Sequence, residues 1–162
     1  MNNDQSCSTG NGKCGKPGIK CLIPVAAVFA VLFGFQWAFH GVYMMPQYEA
    51  TASLWRSKEE MQGMLWVCLT TKLLMAFAIS CLYCCMAKGA ACGGKCPKTG
   101  AKFGFKIGLL LGAHDYASYA WLPIPREIAI NWFIGDVIMG VIIGVVLAYV
   151  CQICKKGECK SA

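Results

Sequence analysis

Four apolar runs, each close to the roughly 20 residues that cross the hydrocarbon core of a bilayer, limit what this chain can become. They predict an all-α integral membrane protein, an antiparallel bundle of four transmembrane helices. The expected helices cover residues 19–41, 58–87, 103–122 and 126–151, within one transmembrane domain at 19–151. Hydrophobic residues are 57% of the chain and charged residues only 14%, too apolar a balance for an ordinary soluble domain. Residues 1–18 form a polar tail rich in Gly, Asn, Ser and Lys, expected to be disordered. It lacks the pattern of a removable signal peptide. Residues 152–162 are a short basic tail that carries cysteines.

The connections are short, which favours antiparallel neighbours. Ser57-Lys58-Glu59-Glu60 reads as a capping box that starts the second helix. Residues 88–102 read as an irregular loop, broken by Gly89, Gly93, Gly94, Pro97 and Gly100. Pro123 and Pro125 end the third helix.

Charge placement predicts the orientation. Lys13, Lys16 and Lys20 precede the first helix, Lys88, Lys95, Lys98, Lys102 and Lys106 surround the second loop, and Lys155, Lys156 and Lys160 follow the fourth helix. Eleven of the 15 Lys and Arg thus share one side. The positive-inside rule makes that side cytoplasmic, with both termini there, in a cell's inner (plasma) membrane. All five tryptophans (Trp37, Trp55, Trp66, Trp121, Trp132) fall near the opposite face, as interfacial anchors do.

Once the sides are assigned, eleven of the 12 cysteines are cytoplasmic and only Cys68 lies in the outer half. A reducing cytosol argues against structural disulfides, leaving metal or redox chemistry. Cys81-Leu-Tyr-Cys84 and Cys151-Gln-Ile-Cys154 each place two thiols one helical turn apart at a cytoplasmic helix end. If the pairs meet, the four thiolates suit zinc, copper(I) or mercury(II). The plain alternative is that cysteine fills helix surfaces or is acylated. Outside, His40, Met44, Met45, Met61 and Met64 gather; they suit copper(I), but methionine more often simply fills apolar space.

Inside the membrane the sequence places a polar layer. At about 1.5 Å per residue, Lys72, His114, Asp115 and Asp136 all lie roughly 10–15 Å below the outer face. Gln36 is a little shallower. A charge in hydrocarbon costs about 2.5–3.5 kcal/mol or more, so these groups should face inward and pair, Lys72 with Asp115 or Asp136. His114 and Asp115 point about 100° apart on one helix and cannot aim at the same partner. The layer is either a proton or ion relay, a pocket for a small polar ligand, or an internal salt bridge that sets helix register.

Gly104, Gly108 and Gly112 recur every fourth residue on one helix, and Gly140 and Gly144 repeat the spacing on the next. Such faces let helix backbones approach closely, inside the bundle or against a second subunit.

The segment His40-Gly41-Val42, Tyr48, Thr51-Ala-Ser-Leu-Trp55-Arg56 and Glu60-Met61 resembles the first-loop signature of small uncharacterised four-helix bacterial integral membrane proteins. Pro123-Ile-Pro125 followed by Trp132-Phe-Ile-Gly135 is similar too. The resemblance covers residues 19–150 and implies the four-helix fold but no activity.

Three readings follow. One is a multi-pass membrane protein that binds or transports a soft metal through the cytoplasmic cysteine pairs. Another is a non-catalytic accessory or structural subunit of a larger membrane complex, or a homo-oligomer within the lipid bilayer. The third is a membrane enzyme acting on a lipid or quinone, with His40, Arg56, His114 or Asp115 as catalysts. No nucleotide-binding loop, nucleophile motif or nucleic-acid fold is visible, so no nucleic-acid partner is expected.

Overall fold

The structure is a computed structural model that describes residues 22–89 and 96–156. The N-terminal tail, residues 157–162 of the C-terminal tail, and Cys7, Cys14, Cys21, Cys92 and Cys159 lie outside the described residues. Among those described, every regular element is helical. In order they are α1 (Leu22–Ala38), α2 (Met45–Ala50), α3 (Lys58–Gly63), α4 (Leu65–Gly89), α5 (Pro97–Ala117) and α6 (Arg126–Lys156). Three spans, Leu22–Tyr43, Leu65–Ala87 and Arg126–Ile153, are long and apolar enough to cross a membrane. The remaining long helix, α5, carries the charged residues Lys98, Lys102, Lys106 and Asp115.

Helix ends differ from the expected ones for local reasons. The first helix passes at Phe39 into a π-helical turn, Phe39–Tyr43, in which the Met44 N–H donates to the Phe39 carbonyl at 2.9 Å. Such a turn inserts one residue into the helical count. The Ser57 capping box is formed: Ser57 Oγ accepts from the Glu60 N–H at 3.2 Å, and Glu60 Oε2 accepts from the Ser57 N–H at 3.3 Å. It starts only the short helix α3, however. The helix expected over 58–87 breaks at Met64, beside Gly63, the residue whose backbone a helix holds least well. Helix α5 starts at Pro97, not at 103. A proline in the first helical turn gives up only an N–H that has no partner there. It ends at Ala117, not 122, because Ser118 Oγ donates to the Asp115 carbonyl at 2.6 Å and the chain tightens into a 3-10 turn, Ser118–Ala120. Helix α6 runs unbroken past residue 151 to Lys156.

The main core lies between α1, α4 and α6. Val28 and Leu32 meet Ala76, Ile79 and Tyr83, and both sets meet Met139, Ile143 and Leu147. Helix α5 lies along α6, and the Tyr83 and Phe103 rings, edge to face with centroids 5.1 Å apart, bring α4 to α5. A second, smaller core at the first-loop end joins Met44 to Ile124, Ile128 and Ala129, with Phe39, Tyr48, Trp55 and Trp132 packed around it.

The α5–α6 seam is built from glycine. A Cβ on Gly108 would stand 2.7 Å from the Asp136 carbonyl oxygen and from Val137 Cα, and one on Gly112 would stand 2.9 Å from the Phe133 carbonyl. A Cβ on Gly140 would meet Gly108 Cα at 2.6 Å. Gly104 faces Gly140, and Gly144 faces Gly100, closer still. Partner numbers on α6 fall as numbers on α5 rise. All five glycines of the two sequence stripes therefore lie between these helices. Gly100, expected in a loop, extends the seam by a turn.

Candidate functional site

The first-loop end holds a pocket of about 450 Å³. Its walls come from every element that meets there: His40 from the π-helical turn, Met45 and Tyr48 from α2, Trp55 and Arg56 from the following loop, Met61 from α3, and Trp132 from α6. The π turn has a direct effect here. It puts His40 in the pocket wall while Met44, four residues on, is fully buried in the second core.

Rings stack around a single phenol. His40 and Tyr48 lie nearly parallel with centroids 6.0 Å apart, and Trp55 meets Tyr48 edge to face at 5.2 Å. Tyr48 Oη is 2.6 Å from His40 Nδ1 and accepts from Trp132 Nε1 at 2.8 Å. Trp55 Nε1 donates to Thr51 Oγ1 at 2.9 Å, and Thr51 Oγ1 donates to the Gln47 carbonyl at 2.8 Å. Asn131 Nδ2 donates to Gln47 Oε1 at 3.2 Å, tying α2 to α6. Burial pushes the Tyr48 hydroxyl above its ordinary range, against the opposing hydrogen bond from Trp132. Arg56 and Lys58 stand exposed on the rim with Glu49. The result is an apolar, aromatic-walled chamber with a polar base and a basic rim, the pattern of a site for a small molecule.

Beside the pocket lies a polar cluster. Lys72 on α4 is half-buried, and its ammonium donates to the Gln36 amide oxygen on α1 instead of to a carboxylate. Asp136 on α6 is 8% exposed, and its Oδ2 has no hydrogen-bond partner among the described residues. Asp115 on α5 and Lys72 both lie within electrostatic reach of that carboxyl. Asp115 also reaches His40 and Tyr48, and Lys72 reaches His40. His114 is exposed on the far side of α5. The cluster therefore contains Lys72, Asp115 and Asp136 of the expected layer, with His40 and not His114 as its histidine.

The cysteines of the two candidate pairs lie at the other end. Cys81 is exposed, while Cys84 and Cys151 are half-buried. The Cys154 side chain lies outside the described residues. Among the described residues no three His, Cys, Asp or Glu side chains gather in a group that could hold a metal.

Tyr48, Trp55 and Trp132 are not among the candidate site residues of the sequence. The sequence places Trp55 and Trp132 with the other tryptophans as interfacial anchors. Trp37, Trp66 and Trp121 are indeed exposed, but Trp55 and Trp132 are half-buried with centroids 6.2 Å apart. Their signal was the neighbourhood: His40, Tyr48, Trp55, Arg56, Met61 and Trp132 all belong to the quoted family-like segments, and all line one pocket. Comparison of the chain with protein-family models, curated proteins and solved structures gives no match.

Proposed function

We propose that this is a multi-pass membrane protein, a bundle of four transmembrane helices with both termini cytoplasmic, that binds a small amphipathic molecule in a pocket on its outer face. The observation that carries the reading is the pocket: aromatic walls, the Tyr48–His40–Trp132 hydrogen bonds at its base, and Arg56 and Lys58 at its rim. Aromatic walls take the apolar body of such a molecule, and the polar groups orient its head.

Two features support placing α5 in the membrane as the fourth span. Its glycine face is seated on α6, one of the apolar spans, from Gly100 to Gly112. Its lysines at 98, 102 and 106 belong to the half of α5 that packs near Gly140 to Ala148, toward the inner interface, where long cationic side chains snorkel to water. The lysine bias of the second loop and tails then puts the pocket outside.

The test is to extract and identify, by mass spectrometry, what purified protein retains from its membrane. About one amphipathic molecule per chain is expected, retained by the unchanged protein and lost from Trp55→Ala at equal helix content. Equal retention of the same molecules by both proteins, or none by either, would overturn the reading. The same preparation decides two others. An accessory subunit is favoured by α4, where every residue from Leu65 to Thr71 is exposed, and it requires a co-purifying chain. Soft-metal binding by Cys81, Cys84, Cys151 and Cys154 rests on their spacing and requires metal in the reduced protein that Cys84→Ser removes.

A further inference from the structure

The polar cluster is read here with α5 in the membrane and the pocket outside, as proposed above, and whatever fills the pocket. Five elements bring charge or hydrogen-bonding capacity to one place. From α1 and its π turn come Gln36 and His40, from α2 Tyr48, from α4 Lys72 with Cys68 nearby, from α5 Asp115, and from α6 Asp136. The glycine seam sets the position of the two acids. Gly108 packs against Asp136 and Val137, and Gly112 against Phe133. Asp115 follows Gly112 by three residues, so it shares the face that packs on α6. Asp136 precedes Gly140 by four, so it shares the face that packs on α5. Both carboxyls are therefore held at the seam, within electrostatic reach of each other.

Charge balance follows from the count. Lys72 supplies one positive charge; Asp115 and Asp136 fully ionised would supply two negative ones. A net charge left in hydrocarbon costs about 2.5–3.5 kcal/mol or more, so the neutral cluster holds one proton over two carboxyls. Asp136 Oδ2, buried and without a partner, is an atom on which such a proton can sit. Beyond it, away from the pocket, α6 continues with Met139, Ile143 and Leu147, all buried in apolar core. On the pocket side stands His40, whose Nδ1 meets Tyr48 at the pocket base.

We propose that Asp115 and Asp136 share one exchangeable proton inside the membrane, loaded from the outer pocket past His40, with Lys72 as the fixed countercharge. In unloading, a carboxyl O–H bond breaks and an imidazole N–H bond forms. The proton then passes from the imidazolium to a water or a basic ligand atom in the pocket, and no electrons are transferred. Because α6 beyond Asp136 is buried in apolar core, and the hydroxyl buried on that side, Ser80 Oγ, has no hydrogen-bond partner among the described residues, the site charges and discharges at one face and is not a proton channel.

The test is infrared spectroscopy of the full-length protein in lipid nanodiscs, in light and heavy water. At neutral pH a protonated-carboxyl carbonyl band of about one group per chain is expected, shifted down in heavy water. Asp136→Asn and Asp115→Asn should each abolish it, since the remaining carboxylate then balances Lys72. Lys72→Met should roughly double it, because the second acid must then hold a proton as well. His40→Gln should leave the band but slow its deuterium exchange at least tenfold. No band in the unchanged protein, or a band that survives Asp115→Asn, overturns the shared proton. Unchanged exchange in His40→Gln overturns the route. Should Asp136→Asn fail to fold, Asp115→Asn and Lys72→Met carry the test.

Discussion

Two histidines show how much a single position depends on backbone geometry. His114 sits beside Asp115 in sequence, yet consecutive residues on a helix point about 100° apart, so only one can face the seam. Asp115 shares the face of Gly108 and Gly112, and His114 is left exposed. His40 reaches the cluster because it lies in a π-helical turn, where a 3.6-residue count no longer tells which way a side chain points. Tyr48 is the residue that ties this corner together. Tyr48→Phe strands Trp132 Nε1 and His40 Nδ1 in half-buried positions, and should cost about 1–2 kcal/mol in a detergent unfolding titration. The pH dependence has a definite sign. Burial raises the folded-state pKa of Tyr48, so its contribution is complete below the unfolded value, about 10, and is lost as pH rises above it. Stability curves of the unchanged protein and of Tyr48→Phe should therefore converge above about pH 10. A gap that stays constant there would show that the phenol is not held neutral by the fold.

At the scale of elements, the α5–α6 seam is the rigid part. The atoms that a Cβ at Gly104 would meet are backbone atoms of Gly140 and Gly144, which have no side chain to move aside. Gly104→Ala must push the helices apart and should cost about 1–3 kcal/mol or more. Gly34 on α1 has nothing within 4 Å of its would-be Cβ. There, Gly34→Ala should be neutral or stabilising by up to about 1 kcal/mol, from helix propensity alone. Opposite signs in one unfolding assay would identify the seam. Equal, small effects would mean that α5 and α6 are not packed through glycine. The cluster depends on this seam, because Asp115 and Asp136 project from the two faces that the glycines bring together.

For the whole molecule, the prediction concerns sidedness. The lysine-rich tails and second loop should be cytoplasmic and the pocket external. A fluorescent protein fused after Ala162 should fold and fluoresce, whereas alkaline phosphatase at the same place should be inactive. The reverse pattern would put the pocket in the cytoplasm and end any reading in which it draws its ligand from outside. Such a molecule would be two-ended: a pocket and polar cluster at one end, thiols and lysines at the other, and an apolar core of Val28, Leu32, Ile79, Met139 and Ile143 between them.

Most of the helical architecture is legible in the sequence, because long apolar runs and four-residue glycine stripes are local patterns of composition and period. The capping box, the glycine stripes and the pairing-prone acids at 115 and 136 are patterns of that kind. The pocket is not. Its walls come from residues as far apart as His40 and Trp132, and they meet only because Met44, Ile124 and Ile128 form a second core that pulls the first loop onto the start of α6. The helix ends at Met64, Pro97 and Ala117 depend likewise on glycine, proline and serine acting in their particular surroundings. Periodicity determines which face of a regular helix is apolar. Which residues share a cavity is decided by how irregular turns and distant contacts fold together, and that information exists only in three dimensions.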